Sequence, residues 1–154
     1  MLQAIDYLGF RNIVHRDIKP SNILYMSLDN GGYRFQLANF GLCNSMAYAE
    51  TYVGRPAFMA PEVLENRGTP ETSKVDVWSL FVTLAYAVDI GGYRGKELCT
   101  TEQMINAVLE AADHPAFEKI EEMAIKDPVR RASAAQMLDK LFNGEERTSP
   151  PPRS

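Results

Sequence analysis

The fold is decided by the stretch His15-Arg16-Asp17-Ile18-Lys19-Pro20-Ser21-Asn22. It places a carboxylate at Asp17, an ammonium at Lys19 and a carboxamide at Asn22 on one short loop, which Pro20 constrains. Transfer of a phosphoryl group requires an acid that accepts a hydroxyl proton, a cation near the phosphate and an oxygen ligand for Mg²⁺. We therefore take Asp17, Lys19 and Asn22 as candidate catalytic residues.

Further motifs follow this loop in a fixed order. Residues 39–41 read Asn-Phe-Gly, residues 51–62 read TYVGRPAFMAPE, residues 76–79 read DVWS, and residues 127–134 read DPVRRASA. Together with the loop, these motifs resemble the eukaryotic protein kinase family, of the serine/threonine type, over residues 1–142. The resemblance implies a mainly α (α+β) fold, namely the helical C-terminal lobe of a kinase with a short β-hairpin and without the N-terminal lobe. It also makes residues 15–22 the catalytic loop and residues 39–62 the activation segment.

Composition and charge narrow the function classes. The 154 residues, 45% of them hydrophobic and 23% charged, suit one soluble globular domain. A net charge of −4 argues against binding to nucleic acid or to an anionic membrane. Residues 80–88, the longest apolar run, are too short to span a bilayer, and no signal peptide is evident. Cys43 and Cys99 lack metal-ligand spacing, which favours reduced thiols in a cytoplasmic or nuclear protein.

The resemblance implies Mg²⁺–ATP as the cofactor, with Lys19 and Leu24 at the nucleotide. Asn22 and Asn39 would then be the metal ligands, but Asn39 stands where the family has an aspartate. An asparagine oxygen can still bind a cation, yet it carries no formal charge, and Mg²⁺ prefers carboxylates alongside phosphate. We therefore expect Mg²⁺–ATP binding to be weak or absent. Alternatively, Asn39 is an ordinary turn residue before a glycine.

The resemblance also suggests a regulatory pair. Thr51 lies where many kinases carry an activating phosphothreonine, and Arg16 would grip that phosphate with its guanidinium. An unmodified loop threonine remains the alternative. Arg55 replaces the family's threonine near the catalytic loop, and we expect its cation to crowd Asp17 and compete for its charge.

Three residues are expected to hold the lobe together by resemblance. Asp76 would accept hydrogen bonds from backbone amides of the catalytic loop, and Glu62 would form a buried ion pair with Arg131. Asp76 lies in the most apolar segment, residues 73–90, which predicts a central helix buried nearly all round. Ser73 followed by Asp76 predicts the start of that helix. Phe81, where the family has glycine, raises the prospect of overpacking.

Local patterns predict the remaining elements. Leu2, Ile5 and Leu8 share a helical face that ends near Gly9, and residues 23–38 predict a hairpin turning at Asp-Asn-Gly-Gly. Thr100 with Gln103, and Ser133 with Gln136, are capping boxes that begin two further helices. Another helix is predicted from residue 117 to 125. Residues 143–154 lack an apolar face and predict a disordered tail.

Two interpretations follow from these patterns. In the first, the chain is a pseudokinase-like module that binds protein, either a partner or a small lobe supplied separately, at an exposed cleft face. The absence of a glycine-rich loop, a strand lysine and its partner glutamate supports this view. In the second, it is the C-terminal part of an active ATP-dependent serine/threonine kinase, as intact Asp17, Lys19 and Asn22 suggest. Sequence upstream of Met1 would separate the two.

Overall fold

The computed structural model describes residues 1–45, 55–65, 68 and 70–148. Its helices are α1 (Leu2–Phe10), α2 (Pro61–Leu64), α3 (Lys74–Ala87), α4 (Thr101–Ala112) and α5 (Ala134–Phe142). Its strands are β1 (Ile13–Val14), β2 (Ile23–Ser27), β3 (Tyr33–Leu37) and β4 (Asn44–Ser45). This is the mainly α fold with a short β-hairpin that the sequence predicts. No helix in these ranges is both long and apolar enough to cross a bilayer.

Helix α3 forms the centre of the core. All residues from Val75 to Thr83 are buried, so this part of the helix is enclosed on every side, as its apolar sequence predicts. The predicted extent of 73–90 is too long, because the helix ends at Ala87 and Val88 after it is 60% exposed. It contacts α1, α4 and the short 3-10 turns around them. Phe81 is fully buried, and its ring meets that of Phe117 edge-on with centroids 5.1 Å apart. This is a favourable distance for an aromatic pair, so the core accommodates Phe81 beside Phe117.

Two small antiparallel sheets flank the catalytic loop. β2 and β3 pair from Ile23 opposite Leu37 to Ser27 opposite Tyr33, and their turn contains Gly31 at φ +78°. β1 pairs with β4, which joins the residues before the loop to the segment after residue 42. The loop is therefore held between two hydrogen-bonded ribbons.

Some predicted helix boundaries are wrong. Instead of one helix over 117–125, two separate 3-10 turns form at Pro115–Phe117 and Glu121–Ala124. Ile120 lies between them with φ −127°, outside the helical region, so a continuous helix cannot run through it. By contrast, α3 begins at Lys74, directly after Ser73, as predicted. Ser73 makes no side-chain cap, because its φ of −56° and ψ of −10° are helical rather than extended, and the carboxylate of Asp76 binds other amides instead of returning a bond.

The structure confirms both capping boxes. The side chain of Thr100 accepts from the amide of Gln103, and Ser133 accepts from that of Gln136, with each glutamine returning a bond to its cap. The sequence located these helix starts to the residue because the capping geometry depends only on local chain atoms.

Residues 143–148 do not form the disordered tail that the sequence predicts. Asn143 and Gly144 both have positive φ and turn the chain back after α5. The amide and the hydroxyl of Thr148 then donate to the Asp6 carboxylate, each at 2.9 Å. Polar contacts rather than an apolar face hold this segment on α1, which is why hydrophobic patterning missed it. Residues 149–154 lie outside the described residues.

Candidate active site

The catalytic loop is anchored to the core by Asp76. Its carboxylate accepts hydrogen bonds from the backbone amides of His15 at 2.7 Å and Arg16 at 2.9 Å. Asp76 is fully buried, and burial raises its pKa to about 7, although the two amide hydrogen bonds act in the opposite direction. The side chain thus performs the role that the resemblance implies for it, and it fixes the loop on α3.

His15 connects the loop to the segment after β3. Its Nε2 lies 3.1 Å from the carbonyl oxygen of Ala38, and its Nδ1 accepts from the amide of Asp17 at 3.3 Å. The neutral ring with its proton on Nε2 satisfies both bonds. Burial lowers the pKa of His15 and so favours this neutral form. The ring of Phe40 meets it edge-on with centroids 5.1 Å apart.

The structure brings Asp17, Lys19 and Asn22 together. The Lys19 ammonium donates to both carboxylate oxygens of Asp17, at 2.8 and 2.7 Å. The Asn22 amide donates to the Asp17 carbonyl and to its Oδ2, both at 2.7 Å. Asp17 is buried, so one small cluster holds the proton acceptor, the cation and the carboxamide in contact. They are the three groups from which the sequence predicts a role in phosphoryl transfer.

Asn39 lies next to Asn22 at the position of the expected metal ligands. Its Nδ2 donates to Oδ1 of Asn22 at 3.3 Å, so the two neutral amides bind each other. Asn39 has φ +64° and ψ +67°, a left-handed conformation that asparagine tolerates better than most residues. Within the described ranges, no cluster of three or more His, Cys, Asp or Glu side chains could hold a metal ion. This donor set fits Mg²⁺ poorly, because it offers no free carboxylate.

The two residues expected at the nucleotide differ in exposure and in partner. Leu24 follows the catalytic loop on β2, and 56% of it is exposed. The ammonium of Lys19 forms an ion pair with the carboxylate of Asp17. The role of Leu24 and Lys19 at a nucleotide stays a prediction.

Arg16 binds a residue that the sequence did not indicate. Its Nε donates to Oε2 of Glu71 at 2.9 Å, and its Nη2 donates to Oε1 at 3.0 Å. Thr51, its expected partner when phosphorylated, lies outside the described residues. The expectation for Arg55 is wrong: Arg55 is exposed, and within the described part of the chain no hydrogen bond or ion pair joins it to Asp17. Asp17 is instead neutralised by Lys19.

The ion pair expected between Glu62 and Arg131 is buried. The guanidinium binds both carboxylate oxygens, at 2.7 and 2.8 Å, and the side chains are 5% and 0% exposed. Its remaining donors reach the carbonyl oxygens of Ile125, Lys74 and Lys126. The guanidinium carbon also lies 5.0 Å from the centre of the Trp78 ring. Trp78, which the sequence assigned only to the core, therefore supports this pair directly.

Glu71 and Trp78 are the contributions that sequence reasoning missed. Trp78 could have been found, because a tryptophan in a buried helix is a common platform for an arginine. Glu71 carries no such signal, since it precedes α3 in a stretch without helical or strand periodicity.

Comparison with known proteins agrees with this geometry. The family profile described as "Protein kinase domain" matches residues 1–143. The chain is 41% identical to serine/threonine-protein kinase dst2 of Dictyostelium discoideum over 88 residues, and this aligned stretch covers 54% of this chain and 7% of dst2. It is 35% identical over 136 residues to calcium/calmodulin-dependent protein kinase type 1 of Macrobrachium nipponense, covering 85% and 38%. The chain thus spans well under half the length of these relatives.

Proposed function

Because this chain belongs to the protein kinase family yet pairs Asn22 with Asn39, we propose that it is a kinase-like module that acts by binding protein rather than by transferring phosphate. The observation that carries the proposal is the hydrogen bond between the two amides. Kinases generally use Mg²⁺–ATP, and their metal ligands include a carboxylate at the position of Asn39.

The charges around the site support weak metal binding. Two neutral amides replace the usual amide and carboxylate, so one negative charge is missing beside the cation. Asp17 compensates for it poorly, because both of its oxygens already bind the Lys19 ammonium. A metal ion would also have to separate Asn39 from Asn22 and break their hydrogen bond. Each of these effects lowers the affinity for Mg²⁺–ATP.

A second candidate function rests on the intact cluster of Asp17, Lys19 and Asn22. These side chains are in contact and hold the groups that accept a proton and stabilise phosphate charge. In that case the chain is the C-terminal part of an active serine/threonine kinase, and Asn39 slows the reaction without abolishing it.

Thermal denaturation with ATP, in the presence and absence of Mg²⁺, tests the proposal. We expect no Mg²⁺-dependent shift and no phosphate transfer from the wild-type chain. In Asn39→Asp, a carboxylate beside Oδ1 of Asn22 restores the missing charge, and a Mg²⁺-dependent shift should appear. Asn12→Asp is the matched control, because Asn12 also has a positive φ but is exposed outside the site.

The outcomes separate the two candidates. Transfer by the wild-type chain that Asp17→Ala abolishes would refute the module and establish the enzyme. If Asn39→Asp gains no Mg²⁺-dependent shift, the charge at residue 39 is not what limits metal binding.

We propose that the protein-binding surface is the cleft face, defined here as Leu24 and Phe40. Leu24 lies two residues after Asn22, and Phe40 directly follows Asn39; the two side chains are 56% and 52% exposed. Contiguous exposed apolar patches are typical of surfaces that another protein covers, and Leu24 and Phe40 would be the anchors of such a patch. The natural occupant is a kinase small lobe or a partner of similar apolar character.

Binding to an isolated kinase small lobe tests this surface. Calorimetric titration should detect binding by the wild-type chain, and Leu24→Ser with Phe40→Ser should weaken it about tenfold or more, as expected for apolar anchors of an interface. Val129→Ser is the control, because Val129 is 84% exposed but lies outside the cleft face. Equal loss in the control, or no binding at all by the wild-type chain, would refute this choice of surface and occupant.

A further inference from the structure

A carboxylate from outside the catalytic loop holds the arginine of that loop. Glu71 accepts two parallel hydrogen bonds from Arg16, at 2.9 and 3.0 Å, in the forked geometry that guanidinium and carboxylate favour. The side chains of Arg16 and Glu71 are only 4% and 11% exposed. The pair is therefore largely removed from water, and neither charge can lose its partner without a large penalty.

The backbone of Arg16 is fixed as firmly as its side chain. Arg16 has φ +70°, a left-handed conformation that is uncommon for residues other than glycine and asparagine. Its amide donates to Asp76, and its guanidinium donates to Glu71. Two carboxylates thus hold one residue by its two ends. The next residue in the chain is Asp17, so the position of Asp17 depends on both anchors.

Nε and Nη2 of Arg16 form one of the donor pairs with which a guanidinium grips a phosphate group. A phosphate could reach them only by displacing Glu71, and it would bring about two negative charges close to the buried carboxylate of Asp76. Glu71 supplies one negative charge at this place and satisfies both donors.

From this geometry we propose that Glu71 is a positioning residue: it is a built-in anion that holds Arg16, and through it Asp17, without any phosphate group. The loop is then assembled in the unmodified chain, and phosphate does not add to its stability. This inference does not depend on whether the chain transfers phosphate. It concerns only how the catalytic loop is held, and the measurement that tests it is the melting temperature.

The test compares melting temperatures in sodium phosphate and in sodium chloride of equal ionic strength. We expect phosphate to raise the melting temperature of the wild-type chain only by the general stabilising effect of this kosmotropic anion, which the control variants share. Glu71→Ala should melt roughly 6–20 °C lower in chloride, because it leaves a buried arginine without its counter-ion. Inorganic phosphate can enter the space left by the side chain, so part of this loss should be recovered in phosphate buffer.

Two controls identify the site of the phosphate effect. The double variant Arg16→Gln with Glu71→Ala removes the guanidinium and should show no recovery in phosphate beyond that general effect. Glu122→Gln removes the same charge from an ion pair with Lys140, in which both side chains are 39% exposed. It should shift the melting temperature little, and equally in both buffers.

The proposal is overturned if phosphate stabilises the wild-type chain as much as Glu71→Ala, or if the recovery does not require Arg16. If Glu71→Ala folds only in phosphate, that result supports the proposal. If it folds in neither buffer, the Arg16 Nε–H resonance of the ¹⁵N-labelled wild-type chain decides. An unchanged resonance on adding phosphate supports the proposal, and a shifted one overturns it.

Discussion

The buried ion pair between Glu62 and Arg131 allows a quantitative prediction about stability. Arg131 makes five hydrogen bonds, two to Glu62 and three to backbone carbonyl oxygens, and its side chain is fully buried. Removing one partner of such a pair leaves an uncompensated charge inside the protein, which typically costs about 3–5 kcal/mol. Substituting Glu62 alone therefore measures how strongly the stability of the fold depends on the counter-ion of Arg131.

Two substitutions of Glu62 should give losses of stability at opposite ends of this range. Glu62→Gln keeps one oxygen that can accept from the guanidinium, and three carbonyl acceptors remain, so we expect a loss near the lower limit, about 3 kcal/mol. Glu62→Ala removes both acceptors and opens a cavity, so its loss should approach about 5 kcal/mol.

Urea denaturation, followed by the fluorescence of Trp78, measures both losses. Trp78 is the only tryptophan in the sequence, and it lies against the Arg131 guanidinium, so its signal reports on this region. The midpoint should fall while the dependence on urea stays unchanged, which indicates an effect on stability rather than on compactness. The exposed pair of Glu122 and Lys140 gives the control, for which Glu122→Gln should change stability by less than about 1 kcal/mol.

A loss of stability in Glu62→Gln no larger than that in Glu122→Gln would contradict this prediction. It would mean that burial of Arg131 does not make its charge depend on Glu62. Equal losses for Glu62→Gln and Glu62→Ala would contradict only the second step, in which the remaining amide oxygen retains part of the interaction.

Three further outcomes are expected. Phe81→Ala should cost about 3–5 kcal/mol in urea denaturation, because the ring is fully buried against Phe117, whereas a smaller loss would show that the core closes over the gap. Burial lowers the pKa of His15 in the folded state, so the folded chain binds fewer protons than the unfolded chain, and the free energy of unfolding should fall as the pH drops below about 6.5. His15→Gln should remove this part of the pH dependence, whereas parallel curves of unfolding free energy against pH for the two proteins would contradict the prediction. Burial raises the pKa of Cys43 to about 11, so iodoacetamide should alkylate Cys43 at neutral pH much more slowly than the exposed Cys99, as mass spectrometry can measure. Equal rates at the two cysteines would contradict this prediction.

Local chemistry made some parts of this fold predictable from sequence. The capping boxes at Thr100 and Ser133 and the turn around Gly31 depend on atoms a few residues apart, and each lies where the sequence placed it. The burial of α3 was also predictable, because apolar side chains on all faces of a helix are stable only inside the core.

Parts that depend on distant residues were not predictable. Ser73 and Asp76 have the spacing of a helix cap, but Asp76 binds amides of His15 and Arg16, about sixty positions earlier in the chain. Glu71 lies in an undistinguished segment, and only the folded chain brings it to Arg16. Local pattern therefore identified the elements, whereas the partners of buried charges required the tertiary structure.

The contact of Thr148 with Asp6 has a consequence for the order of folding. These hydrogen bonds join residues 142 positions apart, and closing so long a loop carries a large entropic penalty that two polar contacts cannot offset alone. We expect them to form only after α1 and α5 have met, late in the folding reaction. Interactions that form late mainly slow unfolding, so this clasp should lengthen the lifetime of the native state while leaving the rate of its formation almost unchanged.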